Sequence, residues 1–409
     1  MVSDDSRRFV TRQFARHYTR APLDMPDRFP RREFGFMFFD RSFMMRHLAF
    51  PSRAALKKYL VEQVPSHAYY SSAYYEKPDA PTMKEKSWRG ADLLFDLDAD
   101  HVEGAKGLSY DQMLARVKTE VVRLIDEFLN GDLGFDEEDL KIVFSGGRGY
   151  HVHVTHSSVL KLNSHERREI VDYITGTDLD LNWVFPQRVF EQSRFKDRAG
   201  LGHRRDMPRR ENGGWRGRIR KGIDDLLADL ERLPEEEVRK RISDILEASE
   251  RDIGPKTIDG LYADLFVKNK GMSGADRMRE EDTFEVFSEK RNAEAFLEMV
   301  SLSVKGRVKG ETDEPVTSDT HRLIRLPSSL HGKTGFEVVP MGREALDRFD
   351  PFTDAVPKAF EEGEVKVRAM APTSVTLKGE RHDIGEDAAS VPAYVAVHLI
   401  CRNLADLDN

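Results

Sequence analysis

The chain is nearly devoid of cysteine: Cys401 is the single one among 409 residues. One thiol cannot close an internal disulfide, form a Cys-rich zinc site, or hold an iron–sulfur cluster on four thiolates. The chain therefore reads as intracellular and cytoplasmic. Long apolar runs are also missing. None approaches the roughly 20 residues that a membrane span needs. The N-terminal stretch Ser6-Arg-Arg-Phe-Val-Thr-Arg-Gln-Phe-Ala-Arg-His-Tyr18 has no signal-peptide apolar region. Its Phe9, Phe14 and Tyr18 suit the packed face of an amphipathic helix. A strong charge of one sign is absent too, with 64 Lys and Arg against 72 Asp and Glu and a net charge of −8. Such a chain can bind a polyanion only where its basic residues are concentrated. Hydrophobic residues at 39% and charged residues at 33% describe a soluble globular protein, and its length suggests two or three domains or subdomains.

Local periodicity predicts the elements. Residues 33–39 and 91–98 read as strands. From Ser109 to Asn130, Leu114, Val117, Val121, Leu124, Ile125 and Phe128 fall at helical spacing, and Gly131 is a stop. Leu140 to Phe144 reads as a buried strand, Ser145 to Gly149 as a turn, and Tyr150 to Thr155 as a second strand. After about residue 160 the pattern turns helical. Ile223, Leu226, Leu227 and Leu230 form one apolar face, and Val238, Ile242, Ile245 and Leu246 another beyond Pro234. Strand character returns from about 315 to 340, and a last helix is expected near Tyr394 to Leu404. The fold class is thus α+β, with mixed α/β units. A split α/β domain is expected over 1–160 and 300–345. A mainly helical subdomain spans 160–300, and a C-terminal extension over 346–409 packs on the core or on a partner.

Charge is concentrated at one place. Between Arg194 and Lys221 stand eleven Lys or Arg residues and only three acids, with glycines that make the stretch loop-like. Two readings are equally good: a solvated loop or a segment held by acidic neighbours on one side, and a contact with a phosphate backbone on the other.

Chemistry is suggested first by Asp92-Leu-Leu-Phe-Asp96-Leu-Asp98. A strand repeats every two residues, so Asp96 and Asp98 share a face while Phe95 and Leu97 pack on the other. Like charges so close repel, and divalent cations relieve that cost. Phosphatases of the haloacid dehalogenase type and many glycosyltransferases share this pair, so it does not decide the activity alone. Ser145-Gly-Gly-Arg-Gly-Tyr-His151 adds an anion-binding turn. Its glycines let N–H groups face a ligand, and Ser145, Arg148 and His151 offer donors to phosphate oxygens. His151 and His153 share a strand face. That admits a two-histidine metal site, although a triphosphate contact by His151 fits the adjoining turn better and His153 reads as packed. A third stretch, from Asp313 to Gly335, brings Arg325, His331 and Lys333 together, with Asp313 or Asp319 as a further carboxylate.

These stretches, with Arg32-Glu-Phe-Gly-Phe36 and Leu323-Ile-Arg-Leu-Pro-Ser-Ser-Leu-His-Gly-Lys-Thr-Gly335, occur in one order. In that order they resemble the small, catalytic subunit of archaeal and eukaryotic DNA primases, over most of residues 1–340. The resemblance implies a primase-type catalytic domain with a helical insertion. It implies a nucleotidyltransferase that makes primers on single-stranded DNA in replication, as part of a primosome. Asp96, Asp98 and Asp313 would be the catalytic, metal-binding carboxylates for two Mg²⁺ or Mn²⁺ ions. Asp313 is preferred over Asp319 because the family's third carboxylate stands fourteen residues before the proline that is Pro327 here. Ser145, Arg148, His151, Arg325 and His331 would hold the incoming NTP or dNTP. Arg46 is a further nucleotide-binding candidate at a spacing that differs by one residue, and Lys333 is a weaker one. Eukaryotic members often carry a basic residue where Gly147 stands.

Many members have a Cys-rich zinc segment soon after the aspartate pair. This chain has Ala99-Asp-His-Val-Glu-Gly-Ala-Lys-Gly107 there, so no structural zinc is expected. The resemblance also implies a large iron–sulfur subunit as heterodimeric partner, and no membrane. Two alternatives stay open: a related primase-polymerase that extends primers in repair or end joining, and a non-catalytic nucleic-acid-binding subunit.

Overall fold

The computed structural model describes residues 2–100, 102, 104, 107–195 and 198–408, with side chains described outside 190–203. The expected zinc-free stretch 99–107 therefore lies partly outside the described residues, as does part of the basic segment 194–221. Two compact units emerge. One comprises residues 1–125, 134–171 and 311–409; the other comprises 126–133 and 172–310. The sequence pattern places the corresponding changes near 160 and 300. Among the described residues, no helix is long and apolar enough to cross a membrane.

The first unit is built on two four-stranded antiparallel sheets. One runs Leu323–Arg325, His67–Ser71, Phe34–Met37, Met45–Leu48 in spatial order. The other runs Val339–Met341, Leu140–Phe144, Gly149–Val154, Leu93–Asp98. Strands that are distant in sequence close both sheets: Ile324 pairs with Tyr70, and Pro340 with Val143. The helix Tyr110–Arg123 starts at a Ser109 cap that reciprocates with Gln112, and it continues as a wider turn over Leu124–Asn130. Leu114, Val117 and Val121 on its inner face are buried.

Residues 346–409 belong to this unit. They form the three-stranded sheet Ala389–Pro392, Glu364–Ala369, Ala405–Leu407 and the buried helix Ala393–Cys401. The N-terminal helix Asp4–Arg20 buries Phe9, Phe14 and Tyr18. Its capping Ser3 donates from Oγ to Asp406 at 2.6 Å, and Ser6 Oγ accepts from the Leu407 N–H at 2.8 Å.

The second unit is mainly helical. Gly214–Glu231 buries Ile223, Leu226, Leu227 and Leu230, and Glu235–Leu246 buries Val238, Ile242 and Leu246. Of the stretch expected to be loop-like over 194–221, Arg198–Arg205 instead pairs antiparallel with Gln187–Phe195 and the residues from Gly214 are helical, while 207–213 are neither helix nor strand. Glycine weakens a strand without removing its N–H and C=O groups, so Gly200 and Gly202 still pair, with Gln192 and Phe190. Several cations of the basic segment have partners inside the unit. Arg210 meets Asp224 at 2.9 Å, Arg220 meets Asp282 at 2.6 Å, and Arg218 meets Asp132 at 2.6 Å while lying over the Phe128 ring. For these three, neutralisation by acidic neighbours is the reading that holds.

Candidate active site

The strand Leu93–Asp98 pairs with Gly149–Val154, and register decides the chemistry of the face. Asp96 stands opposite His151 and Asp98 opposite Gly149. Phe95 and Leu97 are buried on the far side, while the Asp96 and Asp98 side chains keep 22% and 31% exposure. A buried ion pair anchors the start of the strand. Arg32 meets Asp92 at 2.7 Å and also donates to the Ser71 carbonyl at 2.7 Å. Burial alone would raise the Asp92 carboxyl; the Arg32 guanidinium, with His153 and Tyr74, overcomes it and holds Asp92 well below the usual carboxylate range. Arg167, fully buried, donates to the Asp92 and Ala91 carbonyls at 2.7 and 2.9 Å. The Arg32–Glu33 motif is thus part of the scaffold under the site.

The turn after Phe144 is tight because two positions exclude side chains. At Gly149 a Cβ would lie 2.2 Å from the Leu97 carbonyl oxygen. Gly146 has φ +74°, and a Cβ there would lie 2.8 Å from the Cβ of His331. Ser145 Oγ accepts from the Gly147 N–H at 3.3 Å. The two glycine carbonyls are held by side chains: Thr334 donates to Gly146 at 2.5 Å and Tyr110 to Gly147 at 2.6 Å. Among the described residues, the Gly146 and Arg148 N–H groups meet no acceptor. Fixed carbonyls with open N–H groups make an anion-binding concavity. The Arg148 guanidinium is half exposed, lies 3.8 Å from Asp98 and pairs with Asp100.

Three histidines in this region are neutral. His151 is buried, with Nε2 at 3.6 Å from Asp96, and its Nδ1 has no partner among the described residues. Burial, then His153 and the cations Arg325 and Arg322, hold its pKa well below the ordinary value. His331 is lowered by burial and then by Arg325, His67, Lys333 and Arg148. His67 is pushed down to about 2 by burial, Arg325 and Lys333. As a neutral ring, His67 accepts on Nδ1 from the Arg325 guanidinium, which also lies 4.6 Å over the Tyr69 ring.

These groups share one cleft of about 820 Å³ within the first unit. Asp96, Asp98, Ser145, Arg148, His151, Arg325 and His331 all line it, as does Lys333. Asp313 is not among its walls but adjoins it, since the Asp313 N–H donates to the Asp96 carbonyl at 3.0 Å. Asp319 accepts from the His321 N–H at 2.8 Å. Arg46 is not brought to the cleft. It sits on Met45–Leu48 and pairs with buried Glu33 at 3.2 Å. Other lining residues were not singled out from sequence: Tyr69, Tyr110, Arg322 and Arg402. Only their partners in space mark them, because no local spacing links Arg402 to Tyr110 or His67 to Arg325. Five basic side chains and two carboxylates line the cleft, a balance that attracts a polyanion.

Asp96 and Asp98 offer the hard oxygen donors that Mg²⁺ and Mn²⁺ take. Among the described residues, no three His, Cys, Asp or Glu side chains are gathered closely enough to hold an ion by themselves. The pair therefore suits a cation that completes its shell with water and ligand phosphates, the usual habit of Mg²⁺.

The model of a family described as DNA primase small subunit matches residues 95–343 of this chain. The chain is 40% identical to the DNA primase small subunit PriS of Methanothrix thermoacetophila over 405 residues, covering 98% of each chain. It is 40% identical to PriS of Methanocella arvoryzae over 420 residues, covering all of both chains, and 38% identical to PriS of Methanococcoides burtonii, covering 97% of each. With matches of that extent running through the aspartate strand, the glycine turn and the Arg325–His331 segment, the chain belongs to the DNA primase small subunit family.

Proposed function

We propose that this chain is the catalytic subunit of a DNA primase and makes short primers on single-stranded DNA by template-directed nucleotidyl transfer. One observation carries the reading: a single cleft sets two same-face carboxylates against an anion-binding turn and five basic side chains. Asp96 and Asp98, with Asp313 beside them, would hold the divalent cations together with water and substrate phosphates. Bound there, Mg²⁺ or Mn²⁺ supplies acidification of the attacking 3′-hydroxyl and charge neutralisation on the phosphates. The Ser145–Arg148 turn, Arg325 and the neutral donors His151 and His331 grip the triphosphate and orient its α-phosphorus. Because the histidines stay neutral, they donate hydrogen bonds without competing with the cations for the carboxylates. The family's designation as a small subunit supports work in a heterodimer with a large subunit. For that subunit we propose an iron–sulfur protein, as the family resemblance implies; the single cysteine here cannot hold such a cluster on four thiolates.

The test is primer synthesis on unprimed single-stranded DNA with Mg²⁺ or Mn²⁺, comparing the wild type with Asp96→Ala and adding a candidate large subunit. Short labelled products from the wild type alone are expected. Extension of a primed template without synthesis on an unprimed one would replace this reading with a primer-extending polymerase. Products from both proteins would remove Asp96 from the chemistry.

A further inference from the structure

The cleft has a wall supplied by the C-terminal segment. The helix Ala393–Cys401 is tied to the loop that carries His331 and Lys333. His398 Nδ1 donates to the Thr334 carbonyl at 2.8 Å, and a Cβ at Gly335 would lie 2.8 Å from the Val397 side chain. The residue that ends this helix is Arg402, which lines the cleft half-buried. Its guanidinium lies 4.8 Å from the centroid of the Tyr110 ring. Burial raises the pKa of the Tyr110 phenol, so it stays protonated and donates at 2.6 Å to the Gly147 carbonyl. One ring therefore positions both the anion-binding turn and the arginine.

Arg402 has no carboxylate within 4.0 Å among the described residues, whereas Arg148 across the turn is already engaged by Asp100. Among the described residues, many arginines have such a partner, for example Arg210 with Asp224 and Arg279 with Glu231. A cation held over an aromatic face, lining a cleft and lacking a counter-charge, is set up to receive one.

We propose that Arg402 is a further nucleotide-binding residue, which takes the terminal phosphate of the incoming triphosphate. The inference rests on the cleft being the triphosphate site. The order of contacts selects the terminal phosphate. Reaction occurs at the α-phosphorus, beside Asp96 and Asp98. Asp98 pairs with Gly149, the turn leads on to Gly147, Tyr110 holds Gly147, and Arg402 lies over Tyr110. In this order of contacts Arg402 comes last, after the turn, so a phosphate chain laid along the turn from the α-phosphorus meets Arg402 with its far end.

The experiment is calorimetric binding of Mg-ATP and Mg-ADP to the full chain and to Arg402→Gln and Arg402→Lys, with melting temperatures and primer synthesis measured alongside. Arg402→Gln is expected to weaken ATP by roughly 10- to 100-fold, the range for one charge-assisted hydrogen bond, and to leave ADP unchanged. Arg402→Lys is expected to recover part of the loss. An equal loss for both nucleotides, or none for ATP, overturns the proposal. Unchanged ATP affinity with a shallower salt dependence of DNA binding would overturn it in favour of a template contact. Failure of the wild type to bind ATP would strike the function proposed above. Failure of Arg402→Gln to differ from an active wild type strikes only Arg402.

Discussion

Replacing Gly149 by alanine should damage catalysis more than stability. A Cβ at that position would lie 2.2 Å from the Leu97 carbonyl oxygen and 2.8 Å from the Asp98 Cα. Carbon–oxygen contacts between strands settle at about 3.3 Å or more, so the two strands must part by about 1 Å. Both intruded atoms are backbone, and no side-chain rotation relieves them. The strain is of the overpacking kind, about 1–3 kcal/mol, which a domain of this size survives. The displacement falls on Asp98 itself and on its alignment with Asp96, where a misplacement of about 1 Å costs on the order of 100-fold in rate. The assay is primer synthesis by Gly149→Ala beside its melting temperature. Gly306→Ala serves as control, because a Cβ there meets nothing within 4 Å. Expected are a melting temperature lowered by several degrees and a rate lowered by about two orders of magnitude. Wild-type synthesis by Gly149→Ala would refute the argument that the ladder spacing positions the carboxylates.

His67→Ala removes the acceptor that holds Arg325. A hydrogen bond to a charged group is worth about 1.5–3 kcal/mol, so kcat/KM for the nucleotide should fall about 10- to 100-fold; an unchanged value would show that Tyr69 alone positions Arg325. Asp92→Asn leaves the buried Arg32 without its counter-charge. Unfolding in urea should show a loss of about 3–5 kcal/mol, and an unshifted midpoint would contradict it. Acid should also weaken the fold. His17 and His398 are buried, and burial holds them at about 4 and about 3 against an ordinary 6.5. Because the folded values lie below the unfolded one, their contribution is complete above pH 6.5 and is lost as pH falls towards the folded values. At pH 5 the loss is about 2 kcal/mol for each. Stability that stays flat from pH 7 to pH 5 would sink this reasoning, and His17→Gln should flatten part of the slope.

Periodicity made legible whatever is decided within one element. Alternation along Leu93–Asp98 put the acids on one face and the apolar residues on the other, and the 3.6-residue spacing of Leu114, Val117 and Val121 marked the inner face of their helix. The pairing of Leu323–Arg325 with His67–Ser71 has no such signature, because a ladder joins N–H and C=O groups that every residue carries. The same limit hid His67 behind Arg325 and Arg402 over Tyr110. Arg46 shows a different limit. It stands close to the expected spacing, and in the structure it pairs with Glu33 and does not line the cleft. Spacing measures distance along the chain, and which neighbour claims a charge depends on burial. Glycines misled at 200 and 202, where composition suggested a loop and backbone pairing made a strand.

The contact of Ser3 and Ser6 with residues 406 and 407, and the position of Arg402 in the cleft, impose an order on biosynthesis. Asp96 leaves the ribosome on the order of 300 residues before Arg402, which is roughly 15–60 s at 5–20 residues per second. Throughout that interval the first helix lacks the strand that receives its cap, and the cleft lacks one wall. A nascent chain, or one cut short before residue 402, carries the carboxylates and the glycine turn without that wall.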